Sequence, residues 1–179
     1  MERIVTFEIL NGLLRPMPKV LGIALALASA TAITHLRGDE PSHNHFPYPE
    51  GYREWVHVKS GVIGPGFPME SERGLHHVYA NQAALAGFES GTFADGSILV
   101  YDLISLSEKD GVETEGARRR IDVMVKDSKL YADSGGWGFG RFMGDDQDHD
   151  VLTADVRKVC VGCHEKQKAH GFVFSEFRK

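Results

Sequence analysis

Cysteine is scarce in this sequence: the 179 residues contain two, Cys160 and Cys163. A structural zinc site usually takes four ligands from two such pairs, so the lack of a second pair argues against one. A thioredoxin-type redox pair opens a helix after an early strand, whereas this pair lies late in the sequence. A plain disulfide between the two cysteines stays open as an alternative if the chain is exported.

The sequence also lacks a hydrophobic run of the about 20 residues that a membrane-spanning helix needs. The uncharged run from Val20 to Ile33 is shorter, and Arg15 and Lys19 precede it. This pattern is typical of a signal-peptide core, and the small residues at 28–32 offer cleavage sites. Residues 1–33 are therefore predicted to be a signal peptide or, alternatively, a retained N-terminal anchor, with Met17 as an alternative start.

Basic residues are outnumbered, with 20 Lys and Arg against 25 Asp and Glu, for a net charge of −5 with neutral histidines. An acidic balance gives no support for nucleic acid or an anionic membrane as a partner. The run Arg118 to Arg120 is the exception to this balance. We interpret it as a solvated strand end or, alternatively, as a clamp for carboxylates of a cofactor or an acidic partner.

A histidine directly follows the second cysteine, giving Cys160-Val-Gly-Cys163-His164. A C-x-x-C-H run is typical of c-type haem attachment, in which the thiols add to the vinyl groups and the imidazole coordinates iron. On a helix the three positions are i, i+3 and i+4, so their side chains share one face. The sequence therefore predicts one covalent haem c on Cys160 and Cys163, with His164 as the iron ligand. Bacterial haem c is attached in the periplasm, so the motif and the N-terminal signal together predict a periplasmic protein.

Strand patterns dominate the region before this motif. Five segments are rich in β-branched and aromatic residues and bounded by turn residues: 54–59, 76–79, 97–105, 120–126 and 137–142. Within 120–126 the alternation places Ile121, Val123 and Val125 on one face, and Asp122, Met124 and Lys126 on the other. The fold class is therefore predicted to be mainly β (α+β).

Two helices and a final strand complete the predicted elements. The first helix covers 81–88, and the second runs from an N-cap at Thr153 to about residue 169, with Gly171 as its stop. A last strand is predicted over 172–177. The polar, proline-containing residues 34–50 are interpreted as a linker into one domain over 51–179.

The usual haem c folds do not suit this pattern. Small electron-carrying cytochromes c are helical and use a methionine ligand far downstream of the motif, whereas no methionine follows His164 here. Four-helix cytochromes c′ carry the motif late, but a strand-rich body does not suit a bundle. Plain electron transfer is disfavoured because it needs a fixed sixth iron ligand, which the sequence does not identify.

From about Gly51 onward the chain resembles the cytochrome P-460 family, together with its relative cytochrome c′-beta. The segments that carry the resemblance, in order, are Tyr52-Arg-Glu-Trp55, His77-Val-Tyr-Ala80, Phe93-Ala-Asp-Gly-Ser97, Val125-Lys-Asp-Ser128, Gly136-Trp137, Cys160 to His164 and Phe172-Val-Phe174. The resemblance implies a large antiparallel sheet, a C-terminal haem-binding helix, and an iron held by His164 with an open distal side. It also implies a homodimer. Members of the first branch oxidise hydroxylamine, and members of the second bind nitric oxide or carbon monoxide.

Three positions matter for the distal side that the resemblance implies. The lysine that hydroxylamine-oxidising members link to the haem corresponds to Tyr101, which cannot form that link; Tyr101 then forms a link of its own, hydrogen-bonds a ligand or packs in the core. The family's distal carboxylate corresponds to Asp122, either a general base or a carboxylate paired with one of Arg118 to Arg120. A distal arginine corresponds to His76, either a donor to a ligand or a structural residue.

These observations predict a periplasmic monohaem c-type cytochrome with an open distal site that binds small nitrogen ligands such as nitric oxide. Absence of the crosslinking lysine favours this function. The alternative, which Asp122 favours, is an enzyme that oxidises hydroxylamine or a similar compound and passes electrons to a soluble cytochrome.

Overall fold

The computed structural model describes residues 46–178. The predicted signal peptide or anchor and most of the predicted linker lie outside the described residues. Within 46–178, none of the helices combines the length and the apolar character that crossing a membrane requires.

The described chain is built on one antiparallel sheet whose five strands lie side by side in sequence order. The strands are β1 (Val56–Ile63), β2 (Gly74–Ala80), β3 (Ile98–Lys109), β4 (Val112–Lys126) and β5 (Trp137–Met143). Each strand pairs with the strand before it in the sequence, so hairpin-type connections suffice throughout. The predicted mainly β fold with a large antiparallel sheet is therefore confirmed.

Both predicted helices are present: α1 (Gln82–Ser90) and α2 (Ala154–His164), the latter continued by a 3₁₀ segment, Glu165–His170. Further 3₁₀ turns lie at Tyr52–Glu54, Glu70–Glu72 and Ala132–Ser134. The Thr153 side chain accepts a hydrogen bond from the Val156 N–H, which confirms the predicted N-cap of α2. Gly171, with a φ of 64°, ends the 3₁₀ segment as predicted, because glycine adopts this left-handed conformation without steric cost.

The predicted last strand over 172–177 is wrong. The chain turns at Phe172, whose φ is 68° and whose N–H donates to Gln167 O at 2.8 Å. The residues that follow form no ladder with the sheet. Val173 is buried in the core, and Phe172 and Phe177 pack against the same core. The apolar alternation of this tail thus reflects packing of a single irregular segment.

The sheet separates two cores. One face, which we call the helix-covered face, carries Val78, Leu99 and Phe139 and packs against both helices and the tail. The other, which we call the opposite face, carries Val100, Ile121, Val123 and Phe142 and packs against the chain that leads into β1, including Phe46 and Tyr52. The predicted alternation in β4 is confirmed, with Met124 on the helix-covered face and Ile121 and Val123 on the opposite face. Phe46, at the end of the predicted linker, is buried in this second core.

Gly87 lets α1 pack closely on Phe93, and this contact gives a first testable prediction. A Cβ at position 87 would lie well inside the van der Waals distance of the buried Phe93 ring. Gly87→Ala is therefore expected to destabilise the protein by about 1–3 kcal/mol through overpacking. At an exposed helix position the same change would stabilise the helix by about 1 kcal/mol, because alanine has a higher helix propensity than glycine. Urea unfolding measures the change. Gln82→Ala, at an exposed position of the same helix, is the control and is expected to change stability by less than about 0.5 kcal/mol. A stabilised Gly87→Ala protein would contradict the packing.

Candidate functional site

Helix α2 carries the cysteine motif on its last turn. Cys160 is half-buried and packs against the core of the helix-covered face, Cys163 is exposed, and both thiols are free. Burial raises the pKa of the Cys160 thiol, with a smaller opposing effect from the Arg141 charge. The predicted attachment residues therefore lie on one helix turn as unpaired thiols, and the alternative of a disulfide between them is not seen.

Two anchors hold the helical segment against the sheet, one in the first turn of α2 and one just after the 3₁₀ segment. The Arg157 guanidinium donates to Phe139 O and to the buried carboxylate of Asp150. Trp137 Nε1 donates to Gly171 O at 2.9 Å, which fixes the chain just after the 3₁₀ segment. Because both contacts come from side chains locked by burial or ion pairing, the motif has a defined position over the sheet.

His164 is oriented by the backbone of the tail. Its Nδ1 lies 2.8 Å from Phe172 O, so Nδ1 carries the proton and donates, leaving the Nε2 lone pair for a metal. Burial lowers the pKa of His164, which keeps the imidazole neutral near pH 7. The rings of Phe139 and Phe174 lie 5.0 Å from the imidazole and restrict its rotation. Phe172 holds the left-handed backbone that a bulky residue rarely adopts, and it provides the carbonyl that fixes His164.

These donors fit a haem c. Two unpaired thiols and a neutral imidazole with a free Nε2 are the groups that covalent attachment and axial ligation require. Within residues 46–178, no cluster of three or more His, Cys, Asp or Glu side chains is arranged to hold a metal ion.

The predicted distal residues lie together on the helix-covered face. Strand register places Tyr101 of β3 beside Asp122 of β4, and Asp122 beside Arg141 of β5. The His76 ring, from β2, stacks on the Tyr101 ring with 4.7 Å between ring centroids and 20° between planes. Tyr101 and Met124 pack against the same core as Cys160, so this row of side chains lies on the face of the sheet that carries the motif.

Tyr101 offers a neutral phenol to this region. Burial raises its pKa to about 12, so the hydroxyl stays protonated at neutral pH. Its ring packs against the core of the helix-covered face. The hydroxyl makes no hydrogen bond with the residues that the structure describes. Tyr101 therefore packs in the core, as one of the sequence-based alternatives predicted, and its hydroxyl remains available as a hydrogen-bond donor.

His76 lies between Gly61 of β1 and the Tyr101 ring. Burial is the main cause that lowers its pKa, so the ring is neutral near pH 7. Its Nδ1 is buried without a hydrogen-bond partner in the described part of the chain. An unsatisfied buried nitrogen costs about 1–3 kcal/mol, which makes a ligand or water at this atom favourable.

Asp122 is an ion-paired carboxylate. Arg120 Nε donates to its Oδ2 at 2.9 Å, and Arg141 donates to its Oδ1. Arg120 is 4% exposed and also bonds Glu72 and Ser71 O. The interpretation of Arg118 to Arg120 as a solvated strand end is therefore wrong for Arg120, because three acceptors compensate its burial. Sequence reasoning missed Arg141, although alternation along β5 puts it on the same face as Phe139.

Comparison with known families identifies the chain. A Cytochrome P460 family model matches residues 49–175, which include all five strands, both helices and the cysteine motif. Among curated proteins, no sequence matches this chain significantly. The family match agrees with the free thiols, the oriented His164 and the antiparallel sheet. The chain therefore belongs to the Cytochrome P460 family, membership of which implies a haem c cytochrome.

Proposed function

We propose that this protein is a periplasmic monohaem c-type cytochrome that binds small nitrogen ligands, nitric oxide above all, between α2 and the helix-covered face of the sheet. The observation that carries the proposal is His164, with Nε2 free, packed on Phe139 of the face that also carries Tyr101 and Asp122. Cys160, Cys163 and His164 would hold the haem, and its iron would supply the site at which a small ligand binds. The family is typically periplasmic, and the predicted signal peptide supports export.

The state of Asp122 favours ligand binding over proton-abstracting chemistry. Both carboxylate oxygens already accept hydrogen bonds from guanidinium groups, one from Arg120 and one from Arg141. A general base must approach the proton that it removes to about 2.6–3.2 Å with a lone pair available. Each oxygen keeps a second lone pair, but the two guanidinium partners fix the carboxylate in place, so a role as general base would require the substrate proton to come to that fixed position.

Tyr101 and His76 provide polar groups suited to a small neutral ligand. The Tyr101 hydroxyl is protonated, and the neutral His76 ring has an unpaired Nδ1. A phenol cannot form the lysine link of the hydroxylamine-oxidising members, which further supports binding. Both groups are uncharged, so they can hydrogen-bond a small ligand without adding a charge of their own.

A second candidate function is oxidation of hydroxylamine, with electrons passed to a soluble cytochrome. The observation that favours it is the position of Asp122, side by side with Tyr101 on the face toward the motif. Rotation of Arg141, whose side chain is partly exposed, would release Asp122 Oδ1 as a proton acceptor.

We also propose that the protein forms a homodimer, as the family resemblance implies.

Spectroscopy of the haem-loaded protein tests the two functions together. The protein is matured in a periplasm that attaches haem c, and its ferric and dithionite-reduced spectra are recorded with and without nitric oxide. An ordinary high-spin spectrum that shifts with nitric oxide, without hydroxylamine turnover, supports the binding function. Hydroxylamine-dependent reduction of a cytochrome, with a strongly red-shifted reduced spectrum, establishes the oxidase instead. His164→Ala is expected to keep haem attached while removing the ordinary proximal signature, and an unchanged spectrum would refute the ligand assignment.

Removing the Tyr101 hydroxyl tests its role toward the ligand. Tyr101→Phe is expected to raise the nitric oxide off-rate about 2- to 13-fold, the equivalent of one lost hydrogen bond of about 0.5–1.5 kcal/mol. Stopped-flow displacement measures the rate. Tyr131→Phe removes a hydroxyl from the opposite face and is the control, with no change expected. An unchanged off-rate in Tyr101→Phe would leave packing as the whole role of Tyr101. Tyr101→Lys is a separate test of whether a lysine at this position allows hydroxylamine oxidation.

A further inference from the structure

Four polar side chains that the haem site does not use are joined by hydrogen bonds on the opposite face of the sheet. Ser60 Oγ lies 2.8 Å from His57 Nε2 and 2.7 Å from His77 Nδ1. On the far side of the same imidazole, His77 Nε2 lies 2.9 Å from Glu115 Oε1. We call these residues, His57, Ser60, His77 and Glu115, the Ser60 cluster.

With His77 neutral, the donors and acceptors of the Ser60 cluster permit one consistent order. An ionised Glu115 only accepts, so His77 Nε2 carries the proton and donates to it. His77 Nδ1 then has the lone pair and accepts from the Ser60 hydroxyl, while Ser60 Oγ accepts from the His57 Nε2–H. Ser60 is thus hydrogen-bonded to a base whose tautomer a carboxylate fixes, which is the arrangement of an activated serine.

The fold brings these residues together from three parts of the sheet. Pairing of β1 with β2 places Ser60 directly opposite His77. Glu115 lies on the part of the β3–β4 hairpin that extends beyond β2, after register shifts between Leu103 and Leu106. Such irregularities bend a hairpin and re-aim its side chains, and here Glu115 reaches back to His77. The His77 side chain is 16% exposed and that of Glu115 is 51% exposed. Ser60 is exposed and accessible to a small reagent.

We propose that Ser60 is a nucleophile for acyl transfer from small activated carboxylic esters. Ser60 Oγ attacks the ester carbonyl carbon while its proton passes to His77 Nδ1, and His57 Nε2–H donates to the carbonyl oxygen as it becomes negative. The ester C–O bond then breaks, and His77 Nδ1 gives the proton to the leaving alcohol. Water then hydrolyses the acyl-serine. The water oxygen attacks the acyl carbon while His77 Nδ1 takes a water proton. The bond to Ser60 Oγ breaks, His77 gives that proton to Ser60 Oγ, and a carboxylic acid leaves. Glu115 stays ionised and positions His77.

The test labels the haem-loaded full chain with an alkyl fluorophosphonate, which phosphonylates an activated serine with loss of fluoride. Peptide mass spectrometry follows labelling at Ser60 and at Ser107, an exposed serine of β3 without a hydrogen-bonded imidazole in the described chain. Ser60 is expected to react at least about 100-fold faster, the usual contribution of a general base. p-Nitrophenyl acetate hydrolysis is measured in parallel, and Ser60→Ala is expected to abolish the part of the rate that fluorophosphonate blocks.

Two further variants separate the roles within the Ser60 cluster. His77→Gln is expected to slow labelling about 100-fold, and Glu115→Gln, at a half-exposed position, about 10-fold, with the haem spectrum and nitric oxide binding unchanged in both. Equal labelling of Ser60 and Ser107 in the unaltered protein overturns the proposal. So does labelling of Ser60 that Glu115→Gln leaves unchanged, since the carboxylate would then have no part in activation. Neither result bears on the haem site, which lies on the other face of the sheet.

Discussion

Replacing Cys160 and Cys163 together by serine is expected to abolish covalent attachment of haem. Both thiols are free and lie within one helix turn, directly before His164, so they are the groups that would form the two thioether bonds of the predicted haem c. A serine hydroxyl matches a thiol in shape but does not add to a vinyl group under the same conditions. The holoprotein is denatured and extracted with acidified acetone, and haem that remains with the polypeptide is measured. We expect nearly complete retention in the unaltered protein and none in the double variant.

The single variants and His164→Ala make this result specific. Each single cysteine variant is expected to retain one thioether and a reduced yield of haem, with Cys163→Ser the less disturbing to the fold because Cys163 is exposed. His164→Ala is expected to keep the haem through acid extraction, since the thioethers do not depend on the imidazole. Haem that survives extraction in the double serine variant would refute the motif assignment. Equal loss in His164→Ala would mean that attachment needs the imidazole as well as the thiols.

The part of the site that the sequence could predict is the part set by local spacing. The i, i+3, i+4 relation puts Cys160, Cys163 and His164 together on any helix, and period-two alternation puts Asp122 and Met124 on one face of any strand. Thr153 and Gly171 mark the ends of the helical segment by their own chemistry, as a hydroxyl cap and a residue free to adopt positive φ. These features need no knowledge of the partners across the sheet.

The rest depended on contacts between residues distant in sequence. Phe172 to Phe177 alternate as a strand does, but a strand also needs a neighbour with free backbone groups, and the tail packs on the helices instead. Arg120 is buried because Glu72 and Ser71, from the β1–β2 connection, meet it there. Hydrogen bonding of Glu115 to His77 arises from the bend of a long hairpin, which spacing along the chain does not specify.

Asp102 of β3 is the buried charge on which the opposite face most depends. Its side chain is 0% exposed and accepts hydrogen bonds from the Tyr52 hydroxyl at 2.7 Å, Arg53 Nη2 at 3.1 Å and Arg118 Nε at 3.1 Å. Desolvation, with the nearby Asp102 carboxylate contributing, raises the pKa of Tyr52 above its ordinary value, so the phenol remains a donor throughout the range in which the protein is handled. The carboxylate thereby ties the 3₁₀ turn before β1 to β3 and β4.

Asp102→Ala is accordingly expected to destabilise the protein by about 3–5 kcal/mol, because it leaves the buried Tyr52 hydroxyl and the Arg118 Nε without their acceptor. Urea unfolding of the holoprotein, followed by circular dichroism, measures the loss. Asp145→Ala is the matched control: Asp145 pairs with the same Arg118 but its side chain is 84% exposed, and a solvent-exposed pair contributes about 0–1 kcal/mol. A loss in Asp102→Ala no larger than in Asp145→Ala would mean that water satisfies the donors, and that the two arginines do not hold this face together.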